Sequence, residues 1–375
     1  MIHLARGILV TALIAASHGF ARADSRVISP PLSIAEQHRS DDSRGDLMVS
    51  AAARGDLAGV EAFLRDGIDV DTPNRDGFTA LMWAAGQGRE AIVSRLLERG
   101  AHVNRSSRDG TTALMAAASQ GHIAIVRTLL AKGAQVEARR ADGRTALTWS
   151  AAENQAAAVE CLLAGGADVN AADARGLTSL ILASADPQRE EGSGRTLPVV
   201  QMLLEHKARV NQSATDGSTA LMWAARKGDL GVVQILLESG ANTNAVAEDG
   251  MTALMHAASG QASPSVAEAL IAKHAEVNSR ARRGQSAALI AAERRTASML
   301  NVLLAHGANP NLADSEGRTP LMAAARRGRL QCVESLLQHR ADAKLRDNAG
   351  RTALDLALEN RYMQIASVIK SSATR

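Results

Sequence analysis

The chain has 375 residues, 46% of them apolar but only 2% aromatic, so its interior must be built from Ala, Leu, Val, Ile and Met. The formal charge of +3 falls to +1 without the first 23 residues, leaving 40 basic against 39 acidic side chains. No compact Lys/Arg block stands apart as a phosphate-binding stripe, so nothing in the composition favours nucleic acid as a partner.

The N-terminal stretch has the order of an export signal. Arg6 and the free amine are positive, Gly7 to Ala16 form a short apolar run, and Ala21-Arg22-Ala23 is a small-x-small cleavage site before Asp24. The run is shorter than the ~20 residues that span a bilayer. A signal peptide over 1–23 is expected, with a periplasmic or secreted destination and no membrane association after its removal; its Ala-x-Ala style is similar to bacterial signals. Residues 24–45, with Pro30-Pro31 and the charged Asp41-Asp42-Ser43-Arg44, read as an extended leader.

From there the chain repeats itself. Gly77, Gly110, Gly143, Gly176, Gly217, Gly250, Gly284, Gly317 and Gly350 lie 33, 33, 33, 41, 33, 34, 33 and 33 residues apart. Eight are followed by Thr two residues on and Leu four residues on, while Gly284 keeps a hydroxyl at Ser286 and slips its Leu to Leu289. Such units cannot bury their own apolar face and must stack on neighbours. Within a unit, Thr79 is placed to cap a short helix over Ala80–Ala85, Gly88 marks a turn, and Glu90–Arg99 carries Ile92, Val93, Leu96 and Leu97 as an apolar stripe. Gly100-Ala101 ends that helix, and the chain returns to a turn at Asp109-Gly110. Gly55 sits 33 residues before Gly88, which marks a first unit without the Gly-x-Thr entry, as a capping repeat requires.

At these residues the chain resembles the ankyrin-repeat family, with Thr319-Pro320-Leu321 nearest its entry motif and Gly-Ala-Asp-Val-Asn intact at 166–170. The resemblance implies an all-α solenoid of helix-turn-helix units with short β-hairpin-like loops. About ten units are expected over 46–375, near 46–74, 75–107, 108–140, 141–173, 174–214, 215–247, 248–281, 282–314, 315–347 and 348–375. The family's entry His is Met at Met82, Met115, Met222, Met255 and Met322, which replaces a polar inter-repeat tie with apolar packing. The one long spacing falls in unit five, where Asp186 to Thr196 reads as a solvated insertion between its two helices. Cys161 and Cys332 fall on second helices five repeats apart, too far for a disulfide.

Catalytic signatures are missing from the sequence: there is no His-Glu-x-x-His, Cys-x-x-Cys, Gly-x-Ser-x-Gly or phosphate-loop motif, and no cofactor or metal is expected. His206, His306 and His339 share one position at the ends of second helices, which suits donors beside helix carbonyls better than a metal site. The resemblance implies non-catalytic recognition of another protein on a concave face. The rival readings are an accessory or protective subunit of a periplasmic enzyme and an effector delivered to another cell. Trp83, Trp149 and Trp223, the three Trp of the chain, all stand four residues after an entry Thr in alternate units. They are either contact residues of that face or core packed over the neighbouring helix. Phe78, Leu177 and Met251 follow entry glycines, where the family's hairpin tips project, and complete the candidate protein-binding set.

Overall fold

Each entry hydroxyl does what its position asks. Thr79, Thr112, Thr145, Thr178, Thr219, Thr252, Ser286, Thr319 and Thr352 accept a hydrogen bond from the backbone N–H three residues on, at 3.2 to 3.4 Å. That satisfies one of the orphan donors of a helix only seven or eight residues long. Helices this short are marginal alone, so their stability comes from packing.

The computed structural model describes residues 41–185, 196–260, 262–294 and 297–373. Among these are 20 helices in ten pairs: α1 Asp41–Arg54 with α2 Leu57–Arg65, α3 Ala80–Gly86 with α4 Glu90–Glu98, α5 Ala113–Ser119 with α6 Ile123–Ala131, and α7 Ala146–Ala152 with α8 Ala156–Ala164. Then come α9 Ser179–Ala185 with α10 Leu197–Glu205, α11 Ala220–Lys227 with α12 Leu230–Glu238, α13 Ala253–Ser259 with α14 Pro264–Ala272, α15 Ala287–Glu293 with α16 Ala297–Ala305, α17 Pro320–Arg326 with α18 Leu330–Gln338, and α19 Ala353–Glu359 with α20 Met363–Ala373. Two compact units result. The first runs to Ala174 and takes in Glu205–Ala208; the second takes in Arg175–Ala185, the segment up to Leu204, and the chain from Arg209 onward.

Within the first unit the first helices α1, α3, α5 and α7 pack in sequence, as do the second helices α2, α4, α6 and α8. The second unit repeats the scheme, with α9, α11, α13, α15, α17 and α19 in one layer and α12, α14, α16, α18 and α20 in the other. Small residues allow it: Ala84, Ala85, Ala117, Ala118, Ala224, Ala225, Ala291 and Ala324 are sealed between layers at 0 to 1% exposure. The five Met that stand where the family has His are buried too, at 1 to 2%. Each large apolar side chain so covered contributes about 1.5–3 kcal/mol. The two cysteines, Cys161 on α8 and Cys332 on α18, are free thiols, and burial pushes that of Cys332 up.

Two hydrogen-bonded ladders register the repeats. At the tips, a turn such as Asn74 to Phe78 is closed by Gly77 N–H donating to Asn74 O (2.9 Å) and Asn74 N–H to Phe78 O (2.8 Å). Neighbouring tips then join through Ala141 N–H to Asp109 O (2.8 Å) and Ala174 N–H to Asp142 O (2.9 Å) in the first unit. In the second unit the same bond runs from Glu248 to Asp216, Arg282 to Asp249, Ser315 to Arg283 and Asn348 to Glu316. The hairpins stop short of strands; the one isolated bridge among the described residues pairs Ser106 with Thr112. Gly143 shows why glycine holds the tip: its φ is +81°, and a Cβ there would lie 2.6 Å from Ala174 N. The second ladder uses asparagine. Asn104, Asn211 and Asn278 each donate a side-chain N–H to a glycine carbonyl one repeat on, at 3.0 Å, and accept a backbone N–H two residues beyond that glycine.

Two expectations shift, and others fall on residues outside those described. Residues 41–45, read as the end of the leader, are helical, because α1 begins at Asp41. Residues 1–40, which hold the expected signal and the rest of the leader, lie outside the described residues, as do 186–195 of the insertion. Thr196, read as the insertion's last solvated residue, is 3% exposed and donates its hydroxyl to Asp229 at 2.9 Å, so it belongs to the packed interior. The reason lies one repeat away: Asp229 is the N-cap of α12, and a buried carboxylate at a cap needs more than one donor.

Candidate functional site

The position four residues after each entry hydroxyl lies on the first helix of its repeat, behind the hairpin tip. Whether it reaches solvent depends on what lies over it. Ala116, Trp149, Leu182, Ile290 and Ala323 are buried there at 0 to 7% exposure, while Trp83, Trp223 and His256 are half-buried.

In the first unit Trp83 pairs with the tip residue Phe78, ring centres 6.0 Å apart and edge to face at 61°. Such a pair adds about 0.5–1.5 kcal/mol beyond its area, and both rings stay half-exposed. Trp149 behaves differently. The Arg140 guanidinium lies 4.5 Å from its ring centre, held by an ion pair to Asp109 at 3.0 Å, and the indole is left 3% exposed. In the second unit Leu177 is 6% exposed, so this tip residue turns into the core. Trp223 donates its indole N–H to Ser218 Oγ at 3.2 Å, Arg226 stands 5.7 Å from its ring centre, and the tip residue Met251 is half-buried. Trp149 and Leu177 therefore offer almost no surface for direct contact, whereas Trp83, Phe78, Trp223 and Met251 offer some. The reason is size and cover: a long cation folds over Trp149, and a branched apolar tip finds room beneath itself at Leu177.

His256 stands one repeat beyond Trp223. Its Nε2 is buried without a hydrogen-bond partner, and its pKa is pushed down to about 4. Burial is the largest cause; Asp249 opposes it, Arg226 adds to it, and Asp216 opposes it more weakly. The ring is neutral at pH 7. His306 and His339 donate from Nδ1 to the carbonyls of Val302 and Ser335, each at 2.9 Å, which places these two at helix ends as cap donors. Among the described residues no group of three or more His, Cys, Asp or Glu is gathered as a metal site, and no helix is long and apolar enough to cross a membrane. Sequence reading passed over the exposed apolar residues Val246, Leu358, Tyr362 and Met363, at 39 to 62%.

Stacked helix pairs joined by hydrogen-bonded tips define a repeat protein of the helix-turn-helix class. The chain belongs to the ankyrin-repeat family: the model described as ankyrin repeats (3 copies) matches residues 47–140, 191–281 and 283–373, and the single ankyrin-repeat model matches 142–174. Proteins of this family are typically protein–protein interaction scaffolds, and no catalytic domain is identified in the chain. Among solved structures, the human ASB11 ankyrin repeat domain is similar at 27% identity, with a TM-score of 0.53, covering 61% of this chain and 98% of that one. No curated protein matches the chain.

Proposed function

We propose that this chain is a non-catalytic scaffold that binds another protein on the face formed by its hairpin tips and first helices. The observation that supports this most is the Phe78–Trp83 pair, two aromatic rings held half-exposed at a tip and first helix. Large aromatic rings held rigid in partly covered positions lose little entropy on contact and supply the anchors of protein interfaces. Trp223 and Met251 offer the same combination in the second unit, while Trp149 and Leu177 support the face from below. The signal-like order of residues 1–23 supports export to the periplasm or beyond, where the partner is then to be sought.

The test is capture of partners from a cell-envelope extract on the immobilised mature chain, read by mass spectrometry. A specific protein should be retained. Replacing Phe78 and Trp83 with Ala should weaken its binding by about 2 kcal/mol or more at an anchor, with little change in thermal stability. Retention that ignores every substitution on this face would place the partner elsewhere on the chain.

A further inference from the structure

The chain's small positive charge is not evenly spread. Between residues 280 and 329 there are nine arginines and three acids, while the rest of the chain holds 33 basic and 36 acidic side chains. In sequence these arginines stand singly or in pairs, so no block is visible. Folding brings five of them together in the second unit, because α15 and α17 stack layer on layer. Arg282 and Arg283 are exposed at a hairpin tip, and Arg294, Arg326 and Arg327 are exposed at the ends of α15 and α17. The two rows are separated by the length of a seven-residue helix, ~10 Å at 1.5 Å per residue. Between them lie Ile290 and Ala323, both buried. Arg226, over Trp223, lies at the end of α11 two layers away, with the uncharged end of α13 at Ser259-Gly260 between.

The three acids of the segment do not neutralise these rows, because all three are gathered on one arginine. Arg318 bonds Asp314 at 2.6 Å, meets Glu316 at 3.5 Å and lies 4.0 Å from Glu293. Among the described residues Arg282, Arg283, Arg294, Arg326 and Arg327 have no ion-pair partner. Cations at helix C-termini also suit the helix dipole. The dipole does not account for them here, since the equivalent ends in the first unit are Gly86-Gln87, Ser119-Gln120 and Ala152-Glu153.

We propose that the second unit binds an acidic, extended protein segment lying across α15 and α17, between the Arg282-Arg283 tip and the helix-end arginines Arg294, Arg326 and Arg327. The inference rests on the reading of this face as a protein-binding surface and names the partner's chemistry. Layers are about 8–10 Å apart and an extended chain advances about 3.3 Å per residue, so a carboxylate at roughly every third residue meets one layer each. Arginine suits the task, because its planar fork takes a carboxylate with two parallel hydrogen bonds.

The experiment titrates the full mature chain into a fluorescein-labelled peptide of about 15 residues, with Glu at every third position in a Ser/Gly background, and follows anisotropy. The Glu peptide should bind at about 50 mM salt and weaken sharply by about 300 mM, while its Gln counterpart should not bind. R294E/R326E/R327E should lose the peptide at least ~tenfold, whereas R65E/R99E, two exposed sites in the first unit, should not; circular dichroism checks that both variants fold. If the reversal variant unfolds, the set R294Q/R326Q/R327Q carries the same test. Absence of Glu-peptide binding, or equal loss in both variants, overturns the proposal. So does tighter binding of a single-stranded oligonucleotide of equal charge, which would make the face a nucleic-acid site. A captured partner that is lost on F78A/W83A but kept by the reversal variant sinks the acidic segment and leaves the protein-binding reading standing. If nothing is captured, that wider reading fails, while the peptide titration still decides the arginine rows.

Discussion

Arg140 lies over Trp149 with its guanidinium 4.5 Å from the ring centre, closer than Arg226 lies to Trp223 at 5.7 Å, and of the three tryptophans only Trp149 is buried. The cation is fixed from its far side by Asp109 at 3.0 Å, so the ring is covered without help from a partner. A cation placed so over an indole gains about 0.5–2 kcal/mol, more as water is excluded.

Single-Trp variants read this directly. Trp149 alone should emit at shorter wavelength and resist iodide, while Trp83 alone and Trp223 alone should be quenched. Arg140→Ala should make Trp149 quenchable. Blue-shifted, protected emission from Trp83 and Trp223 as well would remove them from the binding face.

Stability should divide the same residues. Trp149→Ala deletes a covered ring and should cost about 3–5 kcal/mol, spread as loosening of the adjacent repeats because each contacts only its neighbours. Trp83→Ala and Trp223→Ala should cost less. Chemical denaturation of the three variants checks the order.

Thr196 and Asp229 make a buried bond at 2.9 Å across one repeat. Thr196→Val keeps the shape and removes the donor, leaving a covered carboxylate short of a partner, which should cost about 1–3 kcal/mol. Thr196→Ser should restore most of it. Equal stability of the Val variant and the native chain would return Thr196 to the solvated insertion.

His256 gives the array an acid-sensitive point. Its folded pKa is about 4 against an ordinary value of 6.5, so the unfolded chain binds the proton more readily. Stability from this group is therefore complete above pH 6.5 and is lost as the pH falls from there towards 4. His256→Leu should flatten that part of the stability profile, and an imidazole resonance titrating near 6.5 in the folded chain would contradict the assignment.

The N-terminal expectation is tested on its own. Sequencing of envelope-localised protein should begin at Asp24, and an intact Met1 in such material would remove the case for export.

The repeat, its 33-residue period and the caps that open each first helix were legible in the residues, because a repeated local problem has a repeated local solution. The entry Thr bonds three residues on and the tip Gly takes a left-handed φ, both local, although the next repeat also crowds the Cβ side of Gly143. Cover was not legible. Trp83, Trp149 and Trp223 occupy one register position, yet Arg140 closes over Trp149 while Arg226, farther from its ring, leaves Trp223 half-buried, and nothing in the motif encodes that. Thr196 joined the interior for the same kind of reason, through a cap residue 33 positions away. The arginines of 280–329 look scattered along the chain because neighbours in a stack are a full repeat apart in sequence. Periodicity and capping are properties of a segment and can be read one repeat at a time. Exposure, ion pairing and the assembly of a charged face are properties of stacked layers, and only the tertiary structure decides them.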